Sequence, residues 1–240
     1  MQLSLILLIL PSYSTLDCTS KRRFAIKNSY YPFVLEELPY QASFLSEVLS
    51  ETMVMLHHNT HHGGYLTKLN SFISTETTYS TVSLANLCSS EYDSESLQKF
   101  AGGGYNHYFY WWILTAPGCS GPLPTGNLLK KIDDTWGNFT LFKTEFDTQS
   151  INLFGSGWVW LCVNENSGLE IRSTYYQLNP LMDSDTCYPV LGNDLWDHAY
   201  YLRYTSDKGL YIKYFWDIVD WSMAEFFYDK FASKKKAVPL

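Results

Sequence analysis

Six histidines fall in only three places: His57, His58, His61 and His62 together, then His107, then His198. His57 and His61 are four apart, which on a helix places both on one face; His58 and His62 repeat the pair one residue later. Neutral imidazoles bind first-row metals, and one histidine can orient another. The plain reading of this cluster is a polar helix face that happens to hold four histidines. Asp194 and His198 are also four apart and would share a face if helical. His107 lies in the aromatic run Asn106–His107–Tyr108–Phe109–Tyr110–Trp111–Trp112, where a histidine is either a satisfied core side chain or a further ligand. Taken together, three imidazoles and one carboxylate from distant parts of the chain suit manganese, iron or zinc. Trp111, Trp158, Trp160 and Trp196 lie near these clusters in sequence. A dry aromatic shell of that kind tunes a redox potential and restricts access to small substrates.

Other chemistries lack their parts. Position 58 is His where a HExxH zinc protease needs a Glu base. Gly102–Gly103–Gly104 has neither GxGxxG spacing nor a following Lys, and Gly155–Ser156–Gly157 has the wrong spacing for a nucleophile elbow. The net charge of −7 over 240 residues argues against a nucleic-acid surface, and the Lys234–Lys235–Lys236 run reads as a solvated tail. Hydrophobic residues are 46% and charged residues 17%, which excludes a disordered chain. The 19 Tyr, 14 Phe and 8 Trp suggest large rings packed around something. Five cysteines at wide spacings, with no CxxC, indicate neither a disulfide framework nor a cysteine zinc site; buried free thiols are expected.

The elements that must carry these residues are legible in outline. Phe44, Val48, Leu49, Leu56, Leu66 and Leu69 recur near helical spacing over 43–70, with Gly63–Gly64 weakening or bending that helix. Residues 71–96 read as a loop with a short helix near 84–87, and 94–115 as a second helix. A Pro/Gly-rich linker follows, then helices near 126–137 and 140–152. Strands are predicted at 157–163, 169–175 and 188–194, with a turn at 164–168, and a helix closes the chain. Helices, then strands, then helices read as α+β.

Leu3–Leu10 is apolar but too short to span a bilayer, which needs roughly 20 residues. It fits the core of a secretory signal, with Ser12–Tyr13–Ser14 as a cleavage region. Lys21, Arg22, Arg23 and Lys27 then read more like an organellar transit peptide. No later stretch reads as a membrane helix. Asn138–Phe139–Thr140 is an N-glycosylation sequon, which matters only if the chain enters the secretory pathway and otherwise is a chance match.

The segments HHNTHHGGY (57–65), NHYFYW (106–111), FGSGWVW (154–160) and DLWDHAYY (194–201) together resemble the iron/manganese superoxide dismutase family. Glu37–Leu38–Pro39–Tyr40 matches the family's opening, and Tyr211, Ile212 and Phe215–Trp221 its final helix; the resemblance spans about 37–231. It implies a helical hairpin domain followed by a C-terminal α+β domain with a three-stranded antiparallel sheet, and a metal between them. The boundaries expected are a targeting leader at 1–34, the hairpin domain at 35–116, the linker at 117–126, the metal-binding domain at 127–233 and a basic tail at 234–240. The ligands implied are His57, His107, Asp194 and His198. Tyr65 matches the gateway tyrosine of the substrate funnel. His61 matches the histidine that pairs with a tyrosine of the partner subunit, here Tyr201.

The activity implied is disproportionation of superoxide to oxygen and hydrogen peroxide, with one manganese or iron ion per subunit, in a homodimer or homotetramer. Gln177 sits at the manganese-type position of a glutamine that reaches the metal's bound solvent, and Gly103 stands where an iron form would carry Gln. Tyr110 is more typical of iron forms. Asp197 replaces a Glu that bridges the dimer, Thr60 a Lys that attracts the anion, and Lys208 an Arg near the funnel. These departures leave a catalytically weakened homologue as the second reading. A mitochondrion is the expected compartment, with the secretory pathway, or a plastid reached through it, as the alternative.

Overall fold

A computed structural model describes Cys18 and residues 26–89, 91–92 and 94–240. The apolar run at 3–10, its cleavage region and the basic cluster at 21–23 lie outside the described residues. No helix among the described residues is long and apolar enough to cross a membrane.

Two helical stretches form the N-terminal unit. Ala42–Leu45 is a separate 3₁₀ turn, so the helix expected over 43–70 begins later. Ser50 caps α1 (Glu51–Leu56) by accepting from the Met53 N–H at 3.3 Å. The backbone then widens into a π-helical segment, His57–His62, before α2 (Gly63–Thr75) continues in α geometry. The two glycines therefore lie inside the helical run and do not end it. Short α3 (Leu84–Leu87) leads to α4 (Glu95–Trp112), which packs antiparallel-hairpin fashion against α2. From Ala101 to Trp111 every α4 residue is buried, which is why the sequence there is almost free of charge.

The C-terminal unit holds α5 (Gly126–Trp136), α6 (Phe139–Asn152), strands β1 (Gly157–Asn164), β2 (Leu169–Tyr175) and β3 (Cys187–Asp194), and helices α7 (Asp197–Tyr204), α8 (Lys208–Phe215) and α9 (Trp221–Lys230). The sheet order is β2-β1-β3, all antiparallel. Central β1 is buried on both faces along most of its length, matching its continuous apolar run. Its register with β3 shifts between Leu161 and Cys162, next to Pro189, which has no N–H to give to a ladder. The fold is the α+β architecture that the sequence implied, a helical hairpin joined to a three-stranded antiparallel sheet with helices. The Thr115 N–H donates to Ile218 O and the Asp220 N–H to Ile113 O, both at 2.7 Å, tying the end of α4 to the C-terminal unit.

One sequence expectation is corrected, and two terminal stretches take part in the packing. Cysteines do pair: Cys162 with Cys187 across β1 and β3, and Cys18 with Cys119; only Cys88 is a buried free thiol. The partners are distant in sequence and only the fold brings them together. Residues 26–34, expected within the leader, pack into the structure. The Phe33 N–H donates to Asn70 Oδ1 and Asn70 Nδ2 returns a bond to Phe33 O, each at 2.8 Å, while Ser29 Oγ donates to Leu240 O at 2.7 Å. The last residues are likewise not a free tail. Lys234, Lys235 and Lys236 are exposed, but Val238 and Leu240 are buried.

Candidate metal centre

Four elements deliver the four candidate ligands. His57 opens the π-helical segment, His107 lies in α4, Asp194 ends β3 and His198 sits in the first turn of α7. Asp194 Oδ2 lies 3.1 Å from His57 Nε2, 3.1 Å from His198 Nε2 and 3.8 Å from His107 Nε2. Three of the four side chains are fully enclosed, and His198 is only slightly exposed. His57 Nε2 and His107 Nε2 are buried with no hydrogen-bond partner among the described residues. Buried orphan nitrogens are costly unless something binds them. Two such atoms aimed at one carboxylate oxygen, with a third imidazole beside it, fit a metal ion.

Orientation is fixed from behind. His107 Nδ1 lies 2.6 Å from Gly103 O, a carbonyl that can only accept, so the proton sits on Nδ1 and Nε2 presents its lone pair. Asp194 Oδ1 accepts the Trp196 N–H at 2.9 Å, leaving Oδ2 to face the imidazoles. Burial lowers the pKa of His57 to about 4 against an opposing pull from Asp194, and lowers that of His107 well below the usual range. Burial alone would raise the Asp194 pKa, but His198 and His57 hold it well below the usual carboxylate range. Three imidazoles with one carboxylate make a nitrogen/oxygen donor group for a first-row cation. A second cluster, Cys162, Glu170 and Cys187, is not a donor set here because its cysteines are bonded to each other.

Around the centre, the ring of Trp111 stands 4.8 Å from that of His57, Trp158 5.4 Å from His107, and Trp196 stacks on His198 at 5.4 Å. Trp160 stacks on Trp158 at 5.3 Å, one layer further out. Gln177, 1% exposed in the connection after β2, donates from Nε2 to the Tyr65 oxygen at 3.2 Å. Its Oε1 accepts from Trp158 Nε1 at 3.2 Å and from Asn106 Nδ2 at 3.3 Å. Gly103 makes this arrangement fit, because a Cβ there would overlap the Tyr65 ring. His61 is half-buried and stacks on His198 at 4.3 Å. Tyr201 is different: it is 52% exposed, on the rim of a surface cleft lined by Leu56, His61, Asp197, His198 and Leu202.

Two features were missed from the sequence. Asn106 and Asn179 hold the Gln177 loop: Asn106 Nδ2 donates to Gln177 O at 3.0 Å, and Asn179 Nδ2 to Asn106 Oδ1 at 2.8 Å. The only signal was adjacency, Asn106 beside His107 and Asn179 two past Gln177. A buried chain also runs from Tyr110 to Tyr211 at 3.0 Å and from Tyr211 to Asn193 Oδ1 at 2.7 Å, behind His57.

Comparison with known proteins agrees with this geometry. Residues 32–115 match the model for the iron/manganese superoxide dismutase alpha-hairpin domain, and residues 124–226 the model for the C-terminal domain of the same family. A superoxide dismutase [Mn] of Buchnera aphidicola is 39% identical over 80% of this chain and 96% of its own length. Superoxide dismutase [Mn] 3 of Leptolyngbya boryana is 36% identical over 80% of each chain. A superoxide dismutase [Fe] of Plasmodium falciparum is 37% identical over 79% of this chain and 93% of its own. Manganese and iron relatives are about equally similar, so overall identity does not choose the metal. The chain belongs to the iron/manganese superoxide dismutase family.

Proposed function

We propose that this protein is a superoxide dismutase that uses manganese at His57, His107, Asp194 and His198. The observation that carries the reading is the convergence of these four donors with the Gln177–Tyr65 pair at their edge. An ion held there would supply a one-electron cycle, taking an electron from one superoxide and giving it to a second, so that two superoxides and two protons become oxygen and hydrogen peroxide. The chain's own residues supply the rest. Gly103 O and the Trp196 N–H hold His107 and Asp194 in orientation. The Tyr65 oxygen accepts from Gln177, which leaves the phenol proton free to be donated at the site. The tryptophan shell excludes water and admits only a small anion.

The choice of manganese is supported by the origin of the glutamine. It comes from the connection after β2, and the Tyr65 ring fills the space beside Gly103 that a helix-borne glutamine would need. Superoxide decay measured on protein loaded separately with each metal tests this. Fast decay with manganese alone supports the reading; activity with iron alone overturns it.

Assembly as a homodimer, or a pair of dimers, is part of the same reading. Exposed Leu56, Tyr201, Leu202 and Phe154 are apolar groups suited to a partner, and exposure of Tyr201 beside His61 supports a pairing of these two residues across the proposed dimer. Asp197 Oδ1 accepts the Tyr200 hydroxyl of its own chain at 2.9 Å, so its shorter arm is already engaged. Sedimentation of Asp197→Ala distinguishes a bridge, which would weaken the dimer, from this internal role, which would not.

For the compartment, two observations favour the secretory route, or an organelle reached through it, over a mitochondrion. Four of five cysteines are paired, and disulfides persist in oxidising compartments. Residues from 26 onward, and Cys18 through its bond to Cys119, are built into the fold. Removal of a leader ending near 34 would discard them, whereas cleavage near Ser12–Ser14 keeps them. The amino-terminal sequence of the mature protein tests this: a start before Cys18 supports it, and a start after Phe33 rejects it.

A further inference from the structure

We propose that Asn138 is an N-glycosylation site, so that the mature protein carries a glycan where α5 meets α6. The inference rests on the secretory reading above and adds the place and chemistry of a modification. Asn138–Phe139–Thr140 is the acceptor sequence, and the fold presents it well. Asn138 is exposed, in extended backbone (φ −168, ψ 166), directly after the turn that Gly137 makes at φ +89.

Its two amide atoms have different roles. Oδ1 caps α6 by accepting the Leu141 N–H at 3.0 Å, while Nδ2, the atom that would carry sugar, makes no hydrogen bond among the described residues. Helix capping accounts for an Asn at 138 but uses neither Nδ2 nor Thr140. The Thr140 side chain is exposed and its hydroxyl makes no hydrogen bond among the described residues, whereas those of Thr135, Thr144 and Thr148 each bond back to a carbonyl four residues earlier. Phe139, between them, anchors the loop: its ring packs on Phe142 at 5.7 Å and on Trp221 at 5.4 Å. The apolar residue of the triplet thus faces the core, and the two reacting positions face solvent.

The site is separate from the chemistry. The metal ligands come from the π-helical segment, α4, β3 and α7, and the cleft at Tyr201 from α1, the π-helical segment and α7. The α5–α6 turn supplies no residue of the candidate centre or of that cleft. In the modification, an N-glycosidic bond forms between Nδ2 and the anomeric carbon of a lipid-linked oligosaccharide. The bond from that carbon to the donor's diphosphate breaks, the lipid diphosphate leaves with the electron pair, and the amide nitrogen loses one proton. No group is oxidised or reduced.

The test expresses the full chain, with its own leader, in a secreting eukaryotic cell and follows two readouts: the tryptic peptide 132–143 and the count of free thiols. The expected result is a glycan mass on that peptide, a gel shift that peptide-N-glycosidase removes while converting Asn138 to Asp, and one free thiol. Thr140→Ser keeps the shift, whereas Asn138→Gln and Thr140→Ala abolish it. Thr140→Ala leaves the Asn138 cap in place, so it guards against a folding artefact, and its superoxide decay rate stays at the wild-type value. An unmodified peptide with one free thiol overturns the glycan while the oxidising-compartment reading stands. An unmodified peptide with five free thiols overturns both.

Discussion

The Gln177 amide nitrogen donates to the Tyr65 oxygen at 3.2 Å, joining two residues 112 apart in sequence beside the candidate ligand His107. Gln177 is itself gripped by Trp158 and Asn106, so Tyr65 is positioned by the sheet domain although it stands on the hairpin. Truncation to Gln177→Ala leaves the buried Trp158 N–H without its acceptor, which costs about 1–3 kcal/mol by general measure, while Asn106 Nδ2 keeps its bond to the Gln177 carbonyl. We expect a lower melting temperature, and a superoxide decay rate at least roughly tenfold slower, the size of effect that outer partners of metal sites have. Tyr65→Phe should slow the reaction while leaving the melting temperature closer to wild type. Equal rates in wild type and Gln177→Ala would falsify the positioning role.

Gly103 and Gly64 should respond oppositely to the same substitution. A Cβ at Gly103 overlaps the Tyr65 ring, so Gly103→Ala displaces Tyr65 or opens the hairpin, at about 1–3 kcal/mol. A Cβ at Gly64 meets nothing within 4 Å, and Gly64 lies within the helical run. Gly64→Ala should therefore stabilise by about 0.5–1 kcal/mol. Urea denaturation of the two variants reads both signs directly.

Lys208 should contribute to any alkaline loss of activity. Burial lowers the Lys208 pKa below its ordinary value, although Asp197 pulls the other way, and the ammonium donates to Leu153 O at 2.8 Å. Lys208 thus sheds its positive charge at a lower pH than a free lysine, and under the proposed function a cation on the substrate's approach attracts superoxide only while charged. Burial raises the Tyr65 pKa, so the phenol keeps its proton beyond the ordinary tyrosine range. In a rate–pH profile, Lys208→Arg should move the alkaline fall to higher pH. An unmoved fall in that variant assigns the limb to another group.

Thiol chemistry should separate the cysteines cleanly. Burial pushes the Cys88 pKa up to about 12, so native protein should resist alkylation near neutral pH. Denaturation without reductant should expose one thiol, and reduction five. Loop-closure estimates give roughly 3 kcal/mol for the Cys162–Cys187 bond, whose partners are 25 apart, and more for Cys18–Cys119, 101 apart. Reduced protein should melt well below oxidised protein; coincident melting curves would show the bonds to be dispensable.

Much of the fold and most of the centre were legible in the residues because their signals are local. The alternation and apolar runs that make β1, β2 and β3, the turn at 164–168 and the histidine spacings each lie within a few neighbours. The motifs around His57, His107, Asp194 and His198 pointed to the four candidate ligands, and the structure gathers the three imidazoles within 3.1–3.8 Å of one Asp194 oxygen. Tertiary structure decided what local pattern does not encode. Cys162 and Cys187 meet only because β1 and β3 run antiparallel with a shifted register beside Pro189, and spacing along the chain carries no trace of that. The π-helical widening at His57–His62 is one the apolar periodicity is too coarse to register. Residues 26–34 and the final Val238 and Leu240 looked like leader and tail because their composition is unremarkable. They join the fold through long-range bonds, a reciprocal pair between Phe33 and Asn70 and two from Ser29 to Leu240 O, whose free energy arises only once both ends are already in place.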